Sequence, residues 1–377
     1  MLAFALAASL ALLPGDPPAS APAPLPFDAV TIDARSNFEA VGVADFDKDG
    51  DLDLASGDSW FAAPDWTRHP IGAVGAADGY RLDFADVPLD VNGDSWIDIV
   101  SCSWHRRAVV WRENPGAAHE EIAQWPAWTE HVVDEPGNME TALAVDVDGD
   151  GRLDFVPDVT DKVVWYRVEN GTLVRHDVSA TIGGHGIGVG DVNGDGKNDF
   201  VKPGGWLAAP DWEFHPFPAD FALGHLGIAI VVRDFDGDGD ADLFAANGHD
   251  YGTCWLEQTA DPAHRFVKHD VDHDWSMGHS LALADLDGDG VPEIVTGKRF
   301  HAHDNDPGVG DPLVIFDYAF DRATRAFRRT TIHEGGAIGA GLTLTAVDLD
   351  KDGDVDLVCP GKSGLYLLMN SRKPGLR

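Results

Sequence analysis

The chain's 377 residues, 44% of them hydrophobic, can bury a large core, and 12 Trp with 18 Phe exclude a solvated acidic coil. Against 64 Asp and Glu stand only 27 Lys and Arg, a formal charge of −37. A surface of that sign repels phosphate backbones and anionic lipid, which excludes nucleic acid and membrane surfaces as partners.

Residues 1–13 (MLAFALAASLALL) are apolar but too short to span a bilayer, and Ala19-Ser20-Ala21 offers a small-residue cleavage site. This reads as an export signal over residues 1–23, with the remaining chain, 24–377, secreted or periplasmic. No Lys or Arg precedes the apolar run, so a disordered tail is the alternative. No later run is long enough for a membrane-spanning helix. Cys102, Cys254 and Cys359 are odd in number and scattered, which speaks against a disulfide framework and for buried thiols.

From Asp45 onward one nonapeptide recurs seven times, its starts separated by 45, 56, 45, 43, 51 and 63 residues. That period suits a unit of about four strands, as in the blades of a β-propeller. Side-chain oxygens at loop positions 1, 3, 5 and 9, with a backbone carbonyl at 7, suit one Ca²⁺, which takes six to eight oxygens. The ligand sets are Asp45, Asp47, Asp49, Asp53; Asp90, Asn92, Asp94, Asp98; Asp146, Asp148, Asp150, Asp154; and Asp191, Asn193, Asp195, Asp199. Asp234, Asp236, Asp238, Asp242; Asp285, Asp287, Asp289, Glu293; and Asp348, Asp350, Asp352, Asp356 complete them. Glycine at position 6 permits the sharp turn, except in the second loop, where Ser95 replaces it and Trp96 follows. The loops hold 29 of the 64 acidic residues, and without cations these would repel one another. Position 12, which is Glu in an EF-hand, is here Ser56, Ser101, Pro157, Lys202, Ala245, Thr296 and Cys359, so EF-hands are excluded.

Alternating runs such as GIGVG and LALA precede the loops, and short apolar runs such as DLV, DFV and EIV follow them. These read as two strands joined by the loop. A third strand shows in VVW, VVWY and CWLE, and a fourth carries His69, His131, His176, His215, His269 or His333. A histidine repeated at one place in six blades is expected to be structural, through a hydrogen bond between blades. After the seventh loop only two further strands remain, and the missing fourth is FDAVTID from Phe27. The fold expected is all-β: a seven-bladed propeller closed by an N-terminal strand that completes the last blade.

From Phe27 to about Ser371 these loops and strands resemble the FG-GAP-like, or VCBS, repeat proteins, relatives of the integrin α-subunit propeller. SGD, KPGG and CPGK stand where FG and GAP would, so integrin-like adhesion does not follow. VVWRENPG with WTEHVV also resembles the propeller domain of fungal aldos-2-ulose dehydratase, a metal-dependent sugar enzyme. The repeat specifies the fold and leaves the function open.

In such a ring the first strands line the channel, and their starts lie at the mouth opposite the calcium loops. Counting six back from each loop gives Glu39, Phe84, Glu140, His185, Ile228, His279 and Leu342, with Asp83 and His225 as ionisable neighbours in the second and fifth blades. Connectors on the same face carry Trp60, His105, Arg107, Lys202, Trp206, His249, Lys298, His301 and His303. One reading is a binding module, with carbohydrate or protein as the ligand. The alternative is a metal-dependent sugar dehydratase or lyase. There His185, His279 and Glu140, with His225 as a fourth candidate, would hold Zn²⁺ or another transition metal, while a nearby His or Lys removes the proton α to a polarised carbonyl. A merely solvated channel is the third possibility.

Overall fold

The calcium-type nonapeptides fall where strand-to-strand turns form. In the computed structural model, which describes residues 25–117, 125–221, 223–260 and 266–372, each joins the first two strands of a four-stranded antiparallel sheet. Blade 1, for instance, runs Gly42–Ala44, Asp53–Ser56, Ser59–Ala62 and Thr67–Pro70 in spatial order. Seven such sheets form the ring, with one extra hairpin, Ala76–Ala77 with Tyr80–Arg81, between blades 1 and 2. Blade 7 takes Thr345–Val347, Asp356–Gly361 and Gly364–Asn370 from the end of the chain and Phe27–Asp33 from its start. Phe27 pairs with Asn370 and Thr31 with Tyr366, so the expected closure is present. The expected export signal lies outside the described residues. Among the described residues no helix is long and apolar enough to cross a membrane.

Second strands such as Asp53–Ser56 and Asp98–Ser101 are buried at every residue, because blades cover both faces. The first strands approach one another so closely that glycine is needed. A Cβ at Gly188 would lie 2.4 Å from the Ile230 carbonyl, and one at Gly42 would lie 2.4 Å from that of Asp86. The three cysteines are free and buried.

The stacking partners of five of the six fourth-strand histidines lie within their own blade, not across blades as expected. Five stack on the third-strand Trp of their own blade: His69 on Trp60, His131 on Trp111, His176 on Trp165, His215 on Trp206 and His269 on Trp255, at 4.2–4.6 Å between centroids, while His333 faces Ile315 and bonds the Gly335 carbonyl. Antiparallel register sets these residues directly opposite one another. Blades are instead joined by amide side chains at third-strand ends: Asn114 Nδ2 donates to Phe46 O at 3.0 Å, Gln258 to Val192 O at 3.1 Å and Asn370 to Leu286 O at 3.1 Å.

Position 6 of every loop is left-handed, from Gly196 at φ 84° to Gly239 at 101°, and Ser95 is forced to 72°. Position 4 is left-handed too, even where it is Lys48 or Lys351. The ninth residue acts as a staple. Asp53 Oδ2 accepts from Phe46 N–H at 2.9 Å and its Oδ1 from Ala63 N–H at 2.9 Å, an arrangement repeated at Asp98, Asp199, Asp242 and Asp356.

Candidate functional site: the histidine-lined mouth

Opposite the loops the channel opens into a cavity of about 410 Å³ lined by Tyr80, Phe84, Trp104, His105, Glu140, His185, His225, His249, Arg299, Ala302, His303 and Asp306. Its floor is a buried ion network across the channel. Arg299 donates to Glu39 from blade 1 through Nε (2.7 Å) and Nη2 (3.0 Å), and to Glu140 from blade 3 through Nη1 (2.7 Å). Lys362 Nζ lies 3.7 Å from Glu39, and 4.0 Å above the Tyr80 ring. Burial lowers the Lys362 pKa from its ordinary value.

Above this floor three imidazoles converge. His185, His249 and His279 each bring a nitrogen within 4.8 Å of the others. Their hydrogen bonds fix the tautomers. His185 Nδ1 faces the Leu226 carbonyl at 2.6 Å, His249 Nδ1 faces Asp306 Oδ2 at 3.0 Å, and His279 Nδ1 faces the Met277 carbonyl at 3.4 Å. Each acceptor requires an N–H on Nδ1, which leaves an Nε2 lone pair on all three rings. The Nε2 atoms of His185 and His249 face each other at 3.3 Å, and His279 Nε2 is fully buried with no hydrogen-bond partner. Burial pushes the pKa of His249 down and that of His279 well down, so both stay neutral.

Two ring nitrogens at that distance, beside a third, fit either a shared proton or a metal cation. The edge of a tetrahedron of nitrogens around Zn²⁺, with bonds of about 2.0–2.1 Å, is about 3.3 Å. Asp306 behind His249 is the carboxylate that commonly orients a metal-binding imidazole. Glu140 Oε1, 3.7 Å from His279 Nε2, already accepts from Arg299.

On the rim, the Tyr80 hydroxyl donates to the Ala302 carbonyl and lies 3.0 Å from His303 Nδ1. That nitrogen therefore donates to the phenol oxygen, and His303 Nε2 is left as a proton acceptor. Burial raises the pKa of Tyr80, keeping it a donor. His105 stacks on Tyr80 at 5.5 Å, and His303 on His249 at 5.0 Å.

Of the residues singled out in the sequence, Glu140, His185, His279, His105, His225, His249 and His303 meet at this mouth. His225 fills the fifth-blade gap, and Ile228 is core. Asp83 does not fill the second-blade gap. It is buried against Arg112 Nη1 at 3.0 Å, and Phe84 faces the cavity instead. Trp60 and Trp206 are not on the mouth, because strand alternation turns their rings onto His69 and His215. Lys202 is fully buried in an ion pair with Asp158, and Lys298 is buried outside the cavity lining. Arg107 and His301 lie outside the lining as well; His301 stacks on Phe300. Tyr80, Trp104 and Asp306 were missed. Tyr80 comes from the extra hairpin, which has no counterpart in the repeat. Asp306 stands three residues after His303 in FHAHDND, a spacing that could have flagged it.

At the opposite face, Asp45, Asp47 and Asp53; Asp146, Asp148 and Asp154; and Asp285, Asp287, Asp289 and Glu293 each gather oxygens within 4.8 Å. Asp45 Oδ1, Asp154 Oδ1 and Asp285 Oδ1 are buried with no hydrogen-bond partner, so these sets fit a hard cation.

Ring and loops define a seven-bladed β-propeller of FG-GAP-like repeats, and the family model for the FG-GAP-like repeat matches residues 90–156 and 234–296, two successive loops each time. No curated protein matches the chain. A chain of the BBS1N–ARL6DN complex superposes with a TM-score of 0.57 at 10% identity, over 94% of this chain and 98% of that one. Rhamnogalacturonan lyase YesW gives 0.50 at 15% identity, over 94% and 76%. An Agrocybe aegerita lectin that recognises non-reducing terminal N-acetylglucosamine gives 0.47 at 16%, over 82% and 81%. At these identities the likeness is one of fold.

Proposed function

We propose that this protein is an exported, calcium-stabilised propeller whose mouth holds a transition metal and acts there on a carbohydrate-type ligand. The observation that carries this is the convergence of three Nε2 lone pairs, one of them buried without a partner. A metal bound there would polarise a sugar carbonyl. His303 Nε2 is the candidate base for the adjacent C–H, and Tyr80, still protonated, is the candidate donor to a departing oxygen. In that elimination the C–H and C–O bonds break, a C=C bond forms, and the leaving group departs as water or an alcohol. Aromatic walls from Trp104, Tyr80 and Phe84 suit a sugar ring, and the cavity volume suits one or two residues of it. The calcium part of the reading rests on the unpartnered loop oxygens.

Metal analysis of protein purified without chelator tests the centre. About one transition-metal ion per chain is expected, lost in a His185→Ala/His279→Ala variant that keeps its circular dichroism. Finding calcium alone would end the metal reading. A screen of oxidised and uronic sugars for new ultraviolet absorbance then separates turnover, which yields an unsaturated product, from binding without turnover.

A further inference from the structure

The unrepeated hairpin, Ala76–Ala77 with Tyr80–Arg81, stands between two cavities. Tyr80 lines the mouth, and its strand neighbour Arg81 lines a polar hollow of about 280 Å³. Phe38 lines the hollow too, next to Glu39 in the floor of the mouth. The hollow is therefore separated from the mouth by a wall one residue thick.

The fold does not require the charges found there. Blades 1 and 4 share a connector, WFAAPDWTRHP and WLAAPDWEFHP, yet blade 4 has Gly204 and Phe214 where blade 1 has Asp58 and Arg68. In blade 1 Arg68 Nη2 donates to Asp58 Oδ1 at 2.9 Å, and Ser59 Oγ donates to the same oxygen at 2.7 Å. Arg81 is held differently. Its Nε donates to Asn37 Oδ1 at 2.8 Å and its Nη1 to the Val74 carbonyl at 3.4 Å, and its guanidinium lies 5.0 Å over the Phe38 ring. All three partners are uncharged, and among the described residues no carboxylate forms an ion pair with Arg81. Three guanidiniums, Arg35, Arg68 and Arg81, thus meet only Asp33 and Asp58 in this hollow. A net positive hollow beside the mouth runs against a chain whose formal charge is −37.

We infer that the hollow is a subsite for an oxyanion substituent, carboxylate or sulfate, on a sugar residue adjoining the one at the mouth. The inference rests on the carbohydrate reading of the mouth and names the class of glycan. A guanidinium fixed by neutral groups keeps its charge for a ligand, and its planar fork suits an oxyanion. Arg81 has Nη2 to offer, and Arg68 has Nε and Nη1, since these donate to no described residue. The hairpin then serves both subsites at once, Tyr80 in one and Arg81 in the other.

Equilibrium binding of the full-length protein to uronate oligosaccharides, their methyl esters, sulfated oligosaccharides and their desulfated forms tests this. At least one acidic glycan is expected to bind about tenfold or more tighter than its neutral counterpart. The ester and desulfated arms tell carboxylate from sulfate. Arg81→Gln should abolish that preference while leaving the affinity for the neutral counterpart and the circular dichroism unchanged. Arg68→Phe, which installs the residue of blade 4, should reduce the preference as well. Equal binding of acidic and neutral forms, or a preference that survives both variants, would overturn the subsite while leaving carbohydrate binding in place. Binding of no glycan, acidic or neutral, would overturn the carbohydrate reading itself.

Discussion

Acidification is expected to strip calcium from this ring, loop by loop, in an order set by the position-9 carboxyl. Without a cation, burial raises Glu293 to about 8, Asp53, Asp98 and Asp242 to about 7, and Asp154 and Asp356 to about 6. Calcium binds the ionised form, so each such loop must release a proton to load below its own pKa. With one proton per ion, affinity falls about tenfold for each pH unit below that value. Between pH 7 and pH 5 a loop governed by a group at about 7 loses about a hundredfold, and one governed by a group at about 6 loses about tenfold. The sign reverses for the metal-free protein. A carboxyl whose folded pKa is raised contributes stability that is whole below about pH 4 and is lost as pH climbs through about 7. Calcium should therefore raise the melting temperature strongly at pH 7.5 and little at pH 5. Calorimetry in buffers of different ionisation enthalpy at pH 7.5, 6.5 and 5.5, beside thermal melts with calcium or EGTA, reads both effects. Calcium affinity that is flat across that range, with no proton release, would refute the reasoning.

Asp306→Asn should weaken transition-metal binding about 10–100-fold while the melting temperature holds, because the amide cannot keep His249 in the same tautomer; competition against a chromogenic chelator measures it, and an unchanged affinity would remove Asp306 from the centre. Lys202→Met leaves Asp158 buried without its cation and should cost about 3–5 kcal/mol in urea unfolding. A loss below about 1 kcal/mol would mean that Asp158 takes up a proton or water at little cost. Ser95→Gly should stabilise the protein by about 1 kcal/mol, since a φ of 72° strains any residue with a Cβ. A drop in the unfolding midpoint would show that the hydroxyl or the left-handed backbone has another role.

The ring was legible because its signal is periodic. Seven aspartate loops at blade spacing, each with a residue at position 6 that can turn left-handed, fix both the strand junctions and the blade count. The leftover strand at Phe27 then requires closure. Counting back from the loops also reached Glu140, His185 and His279, since the first strands are alike in length. Legibility failed where a side chain's direction, rather than its position, decides. Trp60 and Trp206 sit in connectors near the mouth, but strand alternation turns them onto histidines. It failed again where the residue belongs to one blade only. Tyr80 arrives on an unrepeated hairpin, and Asp306 on a loop peculiar to blade 6, so no comparison between repeats could reveal them. Lys48 and Lys351 at position 4 hid a second left-handed turn, which glycine marks in the other five loops.

Pairing Phe27 with Asn370 joins the first described strand to the last one. A growing chain can shape its middle blades from neighbouring residues, but the seventh must wait until Asn370 has been made. A truncation that removes only Gly364–Asn370 would strip the strand from Phe27 of its partner and leave the blade split between the two ends of an open arc. Loss of either strand therefore opens the same seam, and one short segment carries the weight of a whole sector.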